Sequence, residues 1–214
     1  MKRQVMFLIA ICCLLVTGAA AQYTPVTAKQ RTVSQHISAD GKVLSQTTVE
    51  QFYQNSAGSI LTQYLVEREG KLVPESANLF DYGNTRKFYH IVYGSKEALE
   101  IQCLTGHPES RANIPQAASL GEEYIQGVRT VAIPTRAKIN GQMQETGKAW
   151  ISPDFPMLVL KEDSMQSLPN GAHRHITKET LEIKVSEEPP AGLFQIDKSF
   201  NVMTRSQAMS CKKP

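Results

Sequence analysis

The sequence predicts a mainly β protein built from antiparallel strands. Apolar and polar residues alternate with period two along most of the chain from Thr32 to Val185, which is the side-chain repeat of a half-buried strand. Gly, Asn, Asp and Pro turn signals interrupt the alternation at short intervals, as hairpins require. Only Ser95 to Leu104, where Ser95 could cap and Ala98, Leu99 and Leu104 could pack, hints at 3.6-residue spacing, and it is read as strand, so few or no helices are expected outside the N-terminal leader. About ten such strands fit an antiparallel meander, a sandwich or an open barrel.

The first 21 residues stand apart from that pattern. Met1-Lys2-Arg3 is a basic start, Val5 to Val16 is a run of twelve apolar residues, and Thr17 to Ala21 is small and ends in three alanines. This is the layout of a secretory signal peptide, and the run falls short of the ~20 residues that cross a bilayer. Cleavage is expected after Ala21, and the mature chain is expected in the periplasm or secreted. Cys12 and Cys13 lie inside the apolar run behind Ile11, where they read as filler rather than as lipidation sites. Residues 22–205 are read as a single β-rich domain and 206–214 as a C-terminal tail. No second apolar run of eighteen residues occurs, so no transmembrane anchor is expected in the mature chain.

The elements follow in order. Thr32 to Ser38 alternates, Ala39-Asp40-Gly41 turns it, and Val43 to Tyr53 returns. Asn55 to Gly58 marks the next turn, Ile60 to Arg68 is a strand, and Glu69-Gly70 leads into a short return that stops before Pro74. Arg86 to Tyr93 is rich in aromatic and β-branched residues, and Gly94-Ser95-Lys96 turns it into Ala98 to Leu104, read as strand. Residues 105–118 carry two prolines and a glycine and form the longest loop, dividing the domain into two halves. In the second half Tyr124 to Ile133 is a strand holding Gly127, where a positive φ would open a tight turn, and Pro134 ends it. Asn140-Gly141 turns the chain into Glu145 to Ile151; Met157 to Lys161 and, after Pro169-Asn170-Gly171, the long run His173 to Val185 follow. Leu193-Phe194, after two prolines, is expected to dock on the open end of the sheet as a plug.

Composition excludes several classes. With 41% hydrophobic and 20% charged residues the chain is not disordered, 13 glycines exclude collagen, and 4 cysteines exclude a disulfide-dense mini-protein. The net charge of +3 loses Lys2 and Arg3 with the leader, leaving 21 basic against 20 acidic side chains. Nucleic acid is therefore not an expected partner. Removal of the leader also leaves Cys103 and Cys211. Export permits a bridge between them, worth on the order of 4 kcal/mol in the chain-entropy model; the alternative is a buried Cys103 and an unbridged Cys211.

The C-terminal half carries three motifs: Leu120-Gly121-Glu122-Glu123-Tyr124-Ile125-Gln126-Gly127-Val128, Trp150-Ile151-Ser152-Pro153-Asp154, and Glu188-Pro189-Pro190-Ala191-Gly192-Leu193-Phe194. Over these residues the chain resembles an exported acidobacterial family of unknown function and, more widely, the LolA-like periplasmic proteins. That resemblance implies a curved antiparallel sheet, a half-barrel with an apolar concave face. Some members of that group carry lipids or lipoproteins, which makes a lipid or lipidated peptide the implied ligand. The pattern departs from the family at its last motif, where Asp197-Lys198-Ser199-Phe200 stands in place of a closing tyrosine.

Catalytic signatures are missing. The sequence holds no G-x-S-x-G or H-E-x-x-H, and Glu122-Glu123, being adjacent, would point to opposite faces of a strand. His173 and His175 share a strand face and could hold a metal only with a third ligand such as Glu179, His90 or Asp163. A metal-dependent hydrolase is thus the weakest reading; the chain is expected to be no enzyme, with no catalytic or metal residues and no cofactor. The best sign of a ligand groove is the strand Phe88 to Tyr93, apolar on both faces, which either packs centrally or lines a cavity. The groove residues read from it are Phe88, His90 and Val92, joined by Trp150. The expected function is binding of an apolar ligand, with an envelope interaction or sensing module as the alternative.

Overall fold

The computed structural model describes residues 23–106, 113–139, 141–168 and 171–204. The expected signal peptide and the 206–214 tail lie outside the described residues.

The strands are β1 (Val26–Ile37), β2 (Val43–Gln54), β3 (Ile60–Arg68), β4 (Lys71–Asp81), β5 (Lys87–Val92), β6 (Glu97–Cys103), β7 (Glu122–Ile125), β8 (Val128–Ile139), β9 (Gln142–Ser152), β10 (Phe155–Ser167), β11 (His173–Val185) and β12 (Asn201–Thr204). They form one open sheet in the order β12-β6-β5-β4-β3-β2-β1-β11-β10-β9-β8-β7. The expected mainly β class, with an open curved antiparallel sheet, is what the chain adopts; helix among the described residues is limited to single 3-10 turns such as Gln116–Ala118 and Ala191–Phe194. The strands β1 to β6 and β7 to β11 are two meanders, and the connection around the 105–118 loop joins them. Their remaining free edges meet where β1 pairs antiparallel with β11, from Val26↔Val185 to Ile37↔His173.

Two prolines read as strand ends do not end their strands. Pro74 lies inside β4 opposite Leu65, where the register shifts between Tyr64 and Leu65. Pro134 lies inside β8, beside a shift between Thr135 and Arg136. A proline lacks the N–H that a ladder needs, and a bulge is where the ladder already misses a bond. The run Tyr124 to Ile133 instead breaks at Gln126-Gly127, both with positive φ (50° and 81°), the backbone sign of a two-residue hairpin turn. It becomes the pair β7 and β8.

Alternation assigns each side chain to a face. Val26, Ala28, Phe52, Ile60, Leu158 and Leu160 are 0–4% exposed in one cluster, with Ile125, Val128, Phe80 and Ile183 packed against it. Register runs Ala28↔Phe52, Gln54↔Ile60 and Ile60↔Phe80 along this face. Among the described residues no helix covers it, so its burial comes from the sheet curling onto itself. Gln30 shows the curl directly. Its Nε2 donates to the Val159 carbonyl at 2.6 Å and to Thr180 Oγ1 at 3.0 Å, reaching from β1 over β11 to β10. This is the inner face.

The outer face of the first meander is covered by the chain after β11. Residues 186–200 cross from β11 over β1 to β6, and β12 then pairs parallel with the far edge of β6, Asn201↔Glu97 to Thr204↔Glu100. Phe194 beneath this strap packs with Leu61, Ala77, Leu79, Tyr89, Ile91 and Ala98. Leu193-Phe194 therefore docks on the sheet's outer face and not on its open end: two prolines aim the chain across the strands, where an apolar face awaits cover.

Candidate functional site: the inner wall of the sheet

The inner face carries apolar residues at one end and a polar row at mid-height. Glu50 on β2 and Lys178 on β11 pair at 3.1 Å with side chains only 14% and 18% exposed, and Thr32 Oγ1 donates to Glu50 at 3.4 Å. Next to Glu50, Tyr64 on β3 accepts a hydrogen bond from Asn78 Nδ2 at 3.3 Å. His90 Nδ1 lies 2.9 Å from Asn78 Oδ1, within hydrogen-bond reach. Burial pushes the Tyr64 phenol above its usual value, the Glu50 charge adds to this, and the Asn78 bond offsets part of it. The row spans β11, β1, β2, β3, β4 and β5.

On one side of the row Phe80 and Phe88 stack face to face with centroids 4.3 Å apart; Val92 lies on its other side and Leu99 beside His90, both half-buried on the same face. At the opposite end, Ser34, His36, Leu44, Gln46, Leu168 and Arg174 line an open depression of about 380 Å³. Arg174 Nε donates there to Ser34 Oγ at 3.2 Å, and Leu44 is 62% exposed. The inner wall is thus amphipathic: aromatic and aliphatic patches flank charged and hydrogen-bonding groups.

The predicted groove residues separate into two places. Phe88, His90 and Val92 share one face of β5, half-buried on the inner wall. Tyr89 and Ile91 point the other way into the core under the strap. Trp150 lies on β9, seven places along the sheet from β5, in the cross-strand row Arg31↔Glu179, Lys161↔Glu179, Lys161↔Trp150. That row is on the outer face, where Lys161 Nζ sits 4.3 Å over the indole and reaches Glu123 at 3.0 Å.

The histidine pair gathers only one of its suggested partners. His175 Nε2 meets Asp163 Oδ1 at 2.8 Å, while Glu179 is tied to Arg31 and His90 faces the inner wall with Asn78. No group of three His, Cys, Asp or Glu residues able to hold a metal occurs among the described residues. Cys103, half-buried at the end of β6, is disulfide-bonded; Cys211 lies outside the described residues. Among them no helix is long and apolar enough to cross a membrane.

Sequence reasoning missed Gln30, Glu50, Tyr64, Asn78 and Lys178. One signal was present: Gln30, Thr32 and Glu50 occupy the parity of Ala28 and Phe52, so polar groups were bound to share the apolar face. Their convergence depends on the β1–β11 pairing, which no local pattern encodes.

No protein-family profile matches the sequence, and no curated protein matches it. The acidobacterial part of the resemblance thus has no match behind it. Among solved structures, an uncharacterized conserved protein from Thermus thermophilus aligns over 83% of this chain and 91% of its own, with TM-score 0.42 and 12% identity. The MucA/MucB complex of Pseudomonas aeruginosa aligns over 90% of this chain and 63% of that one, with TM-score 0.41 and 15% identity. A LolA superfamily protein from Nitrosomonas europaea aligns over 81% and 90%, with TM-score 0.33 and 9% identity. At such scores and identities these likenesses carry no functional argument.

Proposed function

We propose that this is an exported, non-enzymatic binding protein that holds an amphipathic ligand, a lipid or a lipidated peptide, against the inner wall of its half-barrel. The observation that carries the reading is the composition of that wall. Half-buried Phe80, Phe88, Val92 and Leu99 lie on the face the strap leaves uncovered, and Arg174 and His36 line its open end. Apolar side chains there give up water to an acyl chain at roughly 25 cal/mol per Å². The Glu50–Lys178 and Tyr64–Asn78–His90 groups favour a ligand with a polar head over a wholly apolar one. Export rests on the basic, apolar and small-residue layout of residues 1–21.

The test is titration of the mature chain with a dansyl-labelled fatty acid, alongside mass spectrometry of lipids that co-purify from the envelope. Val92→Asp and Phe88→Ala are expected to weaken binding at least tenfold, about 1.4 kcal/mol. Trp150→Phe, on the outer face, is expected to leave it unchanged. Absence of dye binding together with absence of co-purified lipid overturns the reading.

A second reading, docking of an envelope protein on a sheet edge, is favoured by β7. This four-residue strand ends the sheet and exposes Tyr124 to 74%. An extended partner segment would add to it as a further strand, and Tyr124→Asp should abolish any such contact in crosslinking.

A further inference from the structure

We propose that Cys103 is bonded to Cys211, and that this bridge fastens the C-terminal strap as a removable cover over an apolar site on the outer face. The inference is independent of what the inner wall binds. Cys103 is disulfide-bonded, and the sequence offers Cys12, Cys13 and Cys211 as partners. Cys12 and Cys13 lie in the segment read as a cleaved leader. Cys211 follows β12, whose parallel register with β6 points the chain toward Cys103. Thr204 lies beside Glu100, so Cys103 is three residues further, about 10 Å at the rise of a strand. The seven residues from Thr204 to Cys211 span up to about 24 Å, enough to arrive and turn back.

What the bridge would hold in place is visible. The strap buries Phe194 to 4% exposure on Leu61, Leu79, Tyr89 and Ile91. Beside it Gln63, Ile91, Tyr93, Leu193, Ile196 and Phe200 line a cleft of about 220 Å³ that is half open to solvent. Gln63 Nε2 donates to the Tyr93 hydroxyl at 2.9 Å, and Phe200 meets the Tyr93 ring edge-on at 5.9 Å. That volume accommodates a single aromatic ring, with the Gln63–Tyr93 pair to meet a hydroxyl. The cover itself is held by little regular structure. Four residues of β12 pair with the β6 edge, and the strap's own turns close through Leu193 N–H to the Pro190 carbonyl and Gln195 N–H to the Gly192 carbonyl, at 3.0 and 3.3 Å. Glu188 also accepts from the Ser56 N–H, and Asn201 N–H donates to the Lys96 carbonyl, so the strap rests on its apolar anchor and a few scattered bonds, and a covalent tie at its end would keep it docked.

Opening takes a dithiol reductant. Its thiolate attacks one sulfur of the bridge, the Sγ–Sγ bond breaks, and a mixed disulfide forms. The second thiol displaces the protein sulfur, so the protein gains two electrons and two protons as two thiols and the reductant leaves as a disulfide. The strap is then free to lift and the site to exchange its contents.

The experiment uses the full exported chain purified without reductant. Non-reducing peptide mapping should return one crosslinked pair joining the Cys103 and Cys211 peptides; a Cys103 peptide linked elsewhere, or found free, overturns the bridge. Hydrogen exchange then compares oxidised, dithiothreitol-treated and Cys211→Ser proteins. Amides of Leu193, Gln195, Phe200 and Asn201 should exchange at least tenfold faster in the last two, with Ala28 and Phe52 in the core unchanged; equal exchange overturns the cover. Cys103→Ser serves as the second unbridged variant. Finally, ¹⁹F line widths of 4-fluorophenol should report binding that enters and leaves faster once the bridge is open. Absence of broadening in both states, or broadening unaffected by Ile91→Trp, overturns the site.

Discussion

Replacing Lys178 by methionine keeps the aliphatic volume of the side chain and strands the Glu50 carboxylate on the inner wall. At 3.1 Å two unit charges in an effective dielectric of ~20 attract by about 5 kcal/mol. Much of that repays the cost of taking both groups out of water. Loss of one partner of a fully buried pair costs ~3–5 kcal/mol, and these side chains keep 14% and 18% of their exposure. The expected loss is about 2–3 kcal/mol. For a chain of this size that lowers Tm by roughly 4–12 °C, with the urea midpoint falling at constant slope. In Glu50→Gln/Lys178→Met no stranded charge remains, and most of the loss should return. Glu50→Gln alone also removes the charge that helps hold the Tyr64 proton, so that phenol should ionise at lower pH. The reasoning fails if Lys178→Met stays within about 0.5 kcal/mol of the parent, or if the double variant merely sums the single ones.

A Cβ at Gly147 would stand 2.1 Å from the Asp163 carbonyl oxygen and 2.6 Å from Ser164 Cα, at φ +153°, so Gly147→Ala should cost ~3 kcal/mol or more in thermal unfolding by forcing β9 from β10. Asp81, 4% exposed, accepts from Asn84 N–H, Thr85 N–H and Thr85 Oγ1; Asp81→Ala removes the buried charged acceptor that closes this turn and should cost about 2–3 kcal/mol in urea unfolding, with Asp81→Asn recovering part. Tyr53, Tyr64 and Tyr82 have phenol values raised above 10.0, burial being the first cause in each. The folded state therefore holds their protons longer than the unfolded state does. Their contribution is fully present below about pH 10 and is lost as pH rises through the folded values. Absorbance at 295 nm should show tyrosines titrating late, and unfolding at pH 11 should be easier than at pH 9; the reverse order would refute it.

Much of the fold is written in local pattern. The hairpin at Ala39-Asp40-Gly41, the break at Gln126-Gly127 and the strand Phe88 to Tyr93 all follow from alternation and turn chemistry, which act over a few residues. Pro74 and Pro134 misled because a proline's cost depends on its partner strand: only the facing register shows that each sits beside a bulge. The groove shows the same division. Phe88, His90 and Val92 share a face because the strand period is two, whereas Trp150 lies on the opposite face because register shifts in β10 between Phe155 and Lys161 decide which parity faces inward.

The amino-acid sequence alone determined the class of the protein, its strand-by-strand alternation and most of its turns, since these depend on sterics and burial within a hairpin. Tertiary structure alone decided that β1 joins β11, that the sheet curls toward Gln30 and Glu50, and that residues 186–200 run over the outer face. Those outcomes pair residues separated by more than a hundred positions. Their free energy comes from apolar surface and buried polar groups meeting across the whole chain, and no short window contains both partners.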